Sequence, residues 1–279
     1  MTDKYAVIGH PIAHSKSPLI HGRFAAQTGE DMNYTAILAP LDGFVATVHD
    51  FVATGGRGMN VTVPFKEQAF RLATRLSPRA RAAGAVNTLR FNGAEILGDN
   101  TDGAGIVRDI CVNLRRAIAG RRVLLLGAGG AARGTILPLL MEAPARLLIA
   151  NRTAAKARTL ATEFSTLPTG VAAPGVHGCG FDELGALPPG EVFDIVINAT
   201  SAGLADSAID IPNRLFAPGC LAYEMVYGKE TPFMTQARSA GAQVADGLGM
   251  LVEQAAEAFL IWRGVRPDTA PLLRELRGA

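Results

Sequence analysis

Two stretches of the chain combine residue types that could do chemistry on a small molecule. Lys66 follows Asn60-Val61-Thr62-Val63-Pro64-Phe65, so it lies just past the C-terminal end of a predicted strand, where open α/β sheets present ligands. Asp102 closes Gly98-Asp99-Asn100-Thr101-Asp102 and stands at the start of a predicted helix. A ketone reduced by hydride needs a proton for its oxygen, and a lysine oriented by an aspartate is suited to delivering it. Taken singly, each residue has a plainer reading, Lys66 as an exposed helix charge and Asp102 as an N-cap. His14-Ser15-Lys16-Ser17-Pro18 sets two hydroxyls at a helix N-terminus, where they and the free N–H groups could hold an anion without any arginine. Capping by Ser17, with Pro18 at the first helical position, accounts for one hydroxyl and leaves Ser15 unexplained.

A third stretch, Leu124-Leu125-Leu126-Gly127-Ala128-Gly129-Gly130-Ala131-Ala132-Arg133, places a glycine fingerprint between an apolar strand and a helix. Gly127 suits the tight turn, Gly129 lets the backbone approach a pyrophosphate, and Ala132 is small enough to replace the third glycine. Glycines at such a turn are often only a tight turn, but the flanking strand, the helix and the next strand supply the context the fingerprint requires. After that next strand an NAD site would place an acid for the ribose 2′-hydroxyl. Here the chain reads Asn151-Arg152-Thr153, with Lys156 nearby. Arg152 and Lys156 could neutralise a 2′-phosphate, or they could be solvated charges on a helix opening. Cations are disfavoured near a helix N-terminus, so two of them without a neighbouring acid favour the phosphate reading.

These groups need a scaffold, and the chain supplies one by alternating short β-branched or Leu-rich runs with helix-period segments. The predicted fold class is α/β. Strands are expected at 5–8, 34–38, 59–63 and 86–91, with helices from Ser17 to the Gly29 stop, over 43–54, and after Pro64. A second unit opens near Gly120 with a strand over 122–126, a helix over 131–141 and a strand over 146–150. The Pro- and Gly-rich stretch 167–190 lacks periodicity, and strands follow at 194–198 and 221–226. Beyond Asp246-Gly247, Leu251, Ala255, Ala258, Phe259 and Trp262 form one apolar helix face, which has no strand of its own to cover in the second unit. The expected layout is a substrate-binding and catalytic domain over 1–102, a dinucleotide-binding domain over 103–246, and C-terminal helices over 247–279 packing back on the first domain.

Composition excludes several function classes. With 27 basic and 25 acidic residues dispersed over 279 positions, the net charge of +2 offers no footprint for nucleic acid or a membrane surface. Cys111, Cys179 and Cys220 are widely spaced and odd in number, and neither they nor His10, His14, His21, His49 and His177 show metal-ligand spacing. No Gly-x-Ser-x-Gly elbow marks a hydrolase. The apolar run 5–8 is too brief for a signal peptide, and runs such as 123–126 are far below the ~20 residues of a bilayer span. A reducing cytoplasm fits best.

Over essentially its full length the chain resembles the shikimate dehydrogenase family. The matching stretches are His14 to Pro18, Asn60 to Lys66, Gly84 to Thr88, Asp99 to Gly103, Gly127 to Arg133, Asn151 to Thr153, Asn198 to Ser201, and Asp246 to Leu251. The resemblance implies a Rossmann-type NADP-binding domain and NADPH-dependent reduction of 3-dehydroshikimate to shikimate, a step of aromatic amino-acid biosynthesis. It assigns Ser15 and Ser17 to the substrate carboxylate with Tyr227 nearby. Thr62, Lys66, Asn87, Asp102 and Gln254 would meet the ring hydroxyls, with Lys66 and Asp102 as the catalytic pair. For the cofactor it points to Gly127, Ala128, Gly129, Gly130, Ala131, Ala132, Asn151, Arg152, Thr153, Lys156, Met225 and Gly247. Two departures stand out: Tyr223-Glu224-Met225 where many members have Tyr-Asp-Met, and Ser77-Pro78 where some place an acid near the nicotinamide. Monomer and homodimer both remain open. The alternatives are a quinate/shikimate dehydrogenase of broader specificity, which should favour NAD and carry an acid where Arg152 stands, and an inactive NADPH-binding regulator, which would not need Lys66 and Asp102 together.

Overall fold

The computed structural model describes residues 2–166, 175–203 and 207–278. The chain divides into two compact units, one formed by residues 1–105 and 251–279 and the other by 106–250.

Unit 1 contains β1 (Asp3–Gly9), α1 (Ser17–Thr28), β2 (Met32–Leu38), α2 (Phe44–Ala53), β3 (Gly56–Val61), α3 (Lys66–Leu72), β4 (Arg75–Leu76), α4 (Pro78–Ala83), β5 (Thr88–Asn92), β6 (Glu95–Asp99) and the start of α5 (Asp102–Arg108). Its sheet runs β2-β1-β3-β5-β6-β4, parallel on the β1 side and antiparallel where β5 meets β3 and β6. Successive side chains of β1 go to opposite faces, as the period of 2 requires. Ala6 and Ile8 join Phe44, Met59, Val61, Phe65 and Leu89 in one core, while Tyr5 and Val7 join Tyr34, Ala258 and Trp262 in another. Covering both faces is what allows β1 to read as a near-continuous apolar run. Each fully buried Phe or Met adds roughly 1.5–3 kcal/mol to the stability of the layer.

Unit 2 continues α5 into one π-helical turn (Asp109–Asn113), then β7 (Arg122–Leu126), α6 (Gly130–Met141), β8 (Arg146–Asn151), α7 (Ala154–Ser165), β9 (Gly175–Gly180), β10 (Phe193–Asn198), β11 (Phe216–Glu224), α8 (Pro232–Ser239), β12 (Gln243–Ala245) and the first turn of α9 (Leu248–Arg263). The sheet order β9-β8-β7-β10-β11-β12 is parallel throughout, the doubly wound order of a dinucleotide-binding fold. From residue 251 onward α9, followed by α10 (Ala270–Gly278), belongs to unit 1, where Trp262 Nε1 donates to the Leu89 carbonyl at 2.9 Å. The C-terminal helices thus return to the first domain, as their unpartnered apolar face suggests.

Some local expectations need correction. Ser17 does not cap α1; Lys16 holds the cap position, Ser17 begins the helix, and Pro18 is its second residue. No side chain caps α1 from that position; Ser15, one residue earlier, accepts the Ser17 N–H on its Oγ at 3.3 Å. The first sheet is mixed, not wholly parallel, because β5 turns at Gly93-Ala94 and returns as β6. Of the aperiodic stretch 167–190, residues 167–174 lie outside the described residues, and the remainder begins with β9.

Candidate active site

The C-terminal end of β3 leads through Thr62 and Pro64 into α3, whose first residue is Lys66. The Phe65 ring is fully buried and stacked on Phe44 at 5.1 Å, which anchors the turn and leaves Lys66 at its rim. Asp102 begins α5, and the Lys66 ammonium stands 2.6 Å from its Oδ2. The pair is neither buried nor free in water, with 31% of the Lys66 side chain and 16% of the Asp102 side chain exposed. A charge-assisted bond in such a setting is stronger than a surface ion pair while the lysine can still exchange protons with solvent.

The residues around this pair hold it in a defined orientation. Asn87 Nδ2 donates to Asp102 Oδ1 at 2.8 Å, and the Asp102 N–H donates to Asn100 Oδ1 at 3.2 Å. Asn87 Oδ1 accepts from the Thr101 backbone N–H at 2.9 Å and from Thr88 Oγ1 at 2.9 Å. Gln254 on α9 reaches the same cluster, its Oε1 3.4 Å from Thr101 Oγ1. Lys66, Asp102, Asn87 and Gln254 are therefore brought together within unit 1. Thr62 is half-buried at the end of β3, its N–H bound to Ile8 and its carbonyl to Phe65. Ser15 and Ser17 lie at the start of α1, with the Ser17 hydroxyl against Tyr34, whose own hydroxyl donates to Asn60 Oδ1 at 2.7 Å.

Sequence reasoning named none of Asn60, Thr101, Asn100 or Tyr34 as a site residue. One signal was present: Asn60 stands between Met59 and Val61 in the buried part of β3, and a buried amide must find hydrogen-bond partners. Ser77, in the departure noted at Ser77-Pro78, has a structural task. It caps α4 by accepting the Ala80 N–H and donates to Asp99, whose carboxylate also holds Arg79.

In unit 2, Gly127 leaves β7 with φ 111°, a conformation that favours glycine, and an added Cβ would come 3.1 Å from the Ala199 carbonyl. Ala128, Gly129, Gly130, Ala131 and Ala132 carry the chain into α6, which starts without a side-chain cap. A Cβ built on Gly129 or Gly130 would meet no atom within 4 Å, so the surface beside this turn is open to a ligand. This turn lies between the ends of β7 and β10, the switch point of the sheet. A bare helix N-terminus there fits a dinucleotide pyrophosphate. Beyond β8, Asn151 Nδ2 donates to the Thr153 carbonyl, while Arg152, Thr153 and Lys156 are exposed. Arg152 and Lys156 form no ion pair among the described residues, which leaves both free for a phosphate.

The far side of this site is organised by Glu224, a fully buried carboxylate that accepts from Asn198 Nδ2 at 2.7 Å, Thr231 Oγ1 at 2.9 Å and the Val226 N–H at 3.1 Å. The turn carrying Met225 and Tyr227 is thereby tied to the end of β10. Gly247 packs against it so closely that a Cβ would lie 2.1 Å from the Met225 carbonyl oxygen. Tyr227 is half-buried, and burial raises the pKa of its hydroxyl.

Comparison with known proteins follows the same division. Residues 7–89 match the shikimate dehydrogenase substrate binding domain, 111–205 match shikimate / quinate 5-dehydrogenase, and 247–277 match the shikimate 5′-dehydrogenase C-terminal domain. The shikimate dehydrogenase (NADP(+)) of Dechloromonas aromatica is 61% identical over 279 residues, covering 99% of this chain and 98% of that protein. Among solved structures, an Ael1 enzyme from Pseudomonas putida has a TM-score of 0.92 at 49% identity, covering 99% of this chain and 98% of its own. Shikimate 5-dehydrogenase from Thermus thermophilus, in complex with NADP(H) and shikimate, has a TM-score of 0.84 at 30% identity, with 99% of each chain covered.

Proposed function

The chain belongs to the shikimate dehydrogenase family, and from that membership we infer both its reaction and the residues that carry it. The reaction is the reversible NADP-dependent reduction of 3-dehydroshikimate to shikimate, within aromatic amino-acid biosynthesis. The observation that supports Lys66 and Asp102 as its catalytic pair is their 2.6 Å contact at the half-exposed end of the unit 1 sheet. NADPH, when bound, supplies the hydride for the ketone carbon.

Lys66 moves the accompanying proton. Its ammonium gives one proton to the ketone oxygen and is left as an amine, which regains a proton from solvent through its exposed side. In the oxidation direction the amine takes the hydroxyl proton. Asp102 stays ionised, holds Nζ by charge, and keeps its other oxygen on Asn87. Thr62, Asn87 and Gln254 offer hydroxyl and amide groups to the ring hydroxyls. Ser15 and Ser17 bind the carboxylate, a role in which the family resemblance also includes Tyr227.

For the cofactor, Gly127, Ala128, Gly129, Gly130, Ala131 and Ala132 would hold the pyrophosphate. Asn151, Arg152, Thr153 and Lys156 would hold the adenosine ribose and its 2′-phosphate, and Met225 and Gly247 would serve the nicotinamide end. Three free thiols support a reducing compartment such as the cytoplasm. Among the described residues no helix is long and apolar enough to cross a membrane.

Steady-state assay of shikimate and quinate, each against NADP⁺ and NAD⁺, tests the assignment. Shikimate with NADP⁺ is expected to give the highest kcat/KM of the four pairs. A preference for quinate or for NAD⁺ would replace this reading with the broader quinate/shikimate enzyme.

A further inference from the structure

Asn60 is the polar residue within the buried run Gly58 to Val61 of β3, and all its hydrogen bonds are made inside unit 1. Its Nδ2 lies 3.2 Å from the Asn87 carbonyl oxygen and 3.1 Å from Thr88 Oγ1. A backbone carbonyl can only accept, so the amide nitrogen must face Asn87 and Oδ1 must face the other way. On that side Oδ1 meets the Tyr34 hydroxyl at 2.7 Å and His21 Nε2 at 3.1 Å, and both must donate. His21 consequently carries its proton on Nε2. Its Nδ1 is buried and has no hydrogen-bond partner, as suits the bare nitrogen of a neutral ring.

The surroundings of His21 are aromatic. Its ring stacks on Tyr34 at 4.2 Å with the planes 10° apart, Trp262 lies at 5.2 Å, and Phe24 presents its edge at 6.1 Å. Burial pushes the imidazole pKa down to about 3, so the ring stays neutral across the physiological range. An apolar ring would fill this box without the desolvation that a polar imidazole suffers. What an apolar ring lacks is the Nε2–H donor.

From Asn60 the donors run in one direction toward Asp102. Asn60 Nδ2 donates to Thr88 Oγ1, Thr88 Oγ1 to Asn87 Oδ1 at 2.9 Å, and Asn87 Nδ2 to Asp102 Oδ1 at 2.8 Å. With Oδ1 occupied, Oδ2 is the oxygen that meets Lys66. We propose that His21 is a positioning residue for the reduction: as a neutral Nε2–H donor it orients the Asn60 amide and, through Thr88 and Asn87, holds the Asp102 carboxylate in the rotamer that engages Lys66. This rests on the assignment of Lys66 and Asp102 as the catalytic pair.

His21→Phe keeps a stacked ring and removes the donor. The loss of one hydrogen bond at the head of the relay is expected to lower kcat about fivefold or more, with KM for shikimate within about twofold. Tyr34→Phe removes the other donor to Asn60 Oδ1 and should lower kcat in the same direction. Nitrogen-15 NMR of the wild-type enzyme, labelled at its five histidines, reads the tautomer without any substitution. The expected signature is a neutral Nε2–H ring for His21 from pH 5 to pH 8. An Nδ1–H tautomer overturns the proposal, as does a His21→Phe enzyme that loses thermal stability but keeps wild-type kcat. Lys66→Ala, assayed alongside, separates the two levels. If it keeps kcat, the catalytic pair itself is wrong; if it collapses while His21→Phe is unchanged, only the relay fails.

Discussion

Asn87 Nδ2 donates to Asp102 Oδ1 at 2.8 Å, which leaves Oδ2 to the Lys66 ammonium at 2.6 Å. Each carboxylate oxygen has its own donor, so the lysine is held in one place. Lys66→Ala should therefore lower kcat by ~10²–10⁴-fold, the usual range for a general acid, with far less change in KM for shikimate. A variant within a few-fold of wild-type kcat would remove Lys66 from the mechanism.

Ser15 offers a hydroxyl remote from the reacting carbon, and its Oγ also accepts the Ser17 N–H at the start of α1. Ser15→Ala should raise KM for shikimate, because a carboxylate is held about equally in ground and transition states. Loss of this acceptor should also cost ~0.5–1.5 kcal/mol in urea unfolding. Collapse of kcat at unchanged KM would show that Ser15 does not anchor the carboxylate.

Arg152 is exposed at the end of β8 and has no ion-pair partner among the described residues. Arg152→Asp removes an attraction for the 2′-phosphate, adds a repulsion, and offers an acceptor to the 2′-hydroxyl of NAD. A charge-assisted hydrogen bond is worth ~1.5–3 kcal/mol, so the NADP-over-NAD ratio in kcat/KM should fall at least ~10-fold. An unchanged ratio would make Arg152 a solvated charge and shift phosphate recognition to Lys156 or elsewhere.

His21 predicts a pH dependence of stability. Burial depresses its folded pKa from 6.5 to about 3, so between those values the unfolded chain binds a proton that the folded one does not. The resulting penalty is absent above pH 6.5 and grows as pH falls toward 3, with a limiting slope of about 1.4 kcal/mol per pH unit. Urea unfolding at pH 7 and pH 5 should give a larger loss for wild type than for His21→Phe. Equal losses would mean that the imidazole is protonated, or solvated, in the folded state.

Gly58 lies under the indole of Trp262, where an added Cβ would come 2.4 Å from Nε1 and 2.8 Å from Cδ1. Gly58→Ala must displace that ring or break its bond to Leu89, and overpacking of this kind typically costs ~1–3 kcal/mol. Differential scanning calorimetry should show a lower Tm. An unaltered Tm would show that α9 can shift by the width of a methyl group at no cost.

Much of the scaffold is readable in the chain itself. β7 spans Arg122–Leu126 as its Leu-rich run indicates, because a buried parallel strand ending in a glycine turn has few other local solutions. The short strands were missed for different reasons. β4 and β12 have two and three residues, too few to show a period, whereas β6 had a usable signal in Gly93, the first position of a two-residue hairpin loop. The Ser17 cap failed because a hydroxyl near a helix start can choose between a local N–H and a distant partner. Here Tyr34, from β2, stands beside it.

By itself, then, the sequence determined the α/β alternation, the glycine turn, and the candidacy of Arg152, Lys156, Lys66, Asp102, Ser15 and Ser17. Those features rest on backbone period, turn sterics and residue chemistry, all of which act over a few neighbouring positions. Only the tertiary structure decided which side of Asp102 faces Lys66 and which nitrogen of His21 carries the proton. Those choices depend on hydrogen-bond partners 15 and 39 positions away in sequence, Asn87 for Asp102 and Asn60 for His21. A buried donor or acceptor must be satisfied wherever packing puts it, so its partner is chosen by the register of the sheet and the helices laid across it, not by the residues on either side.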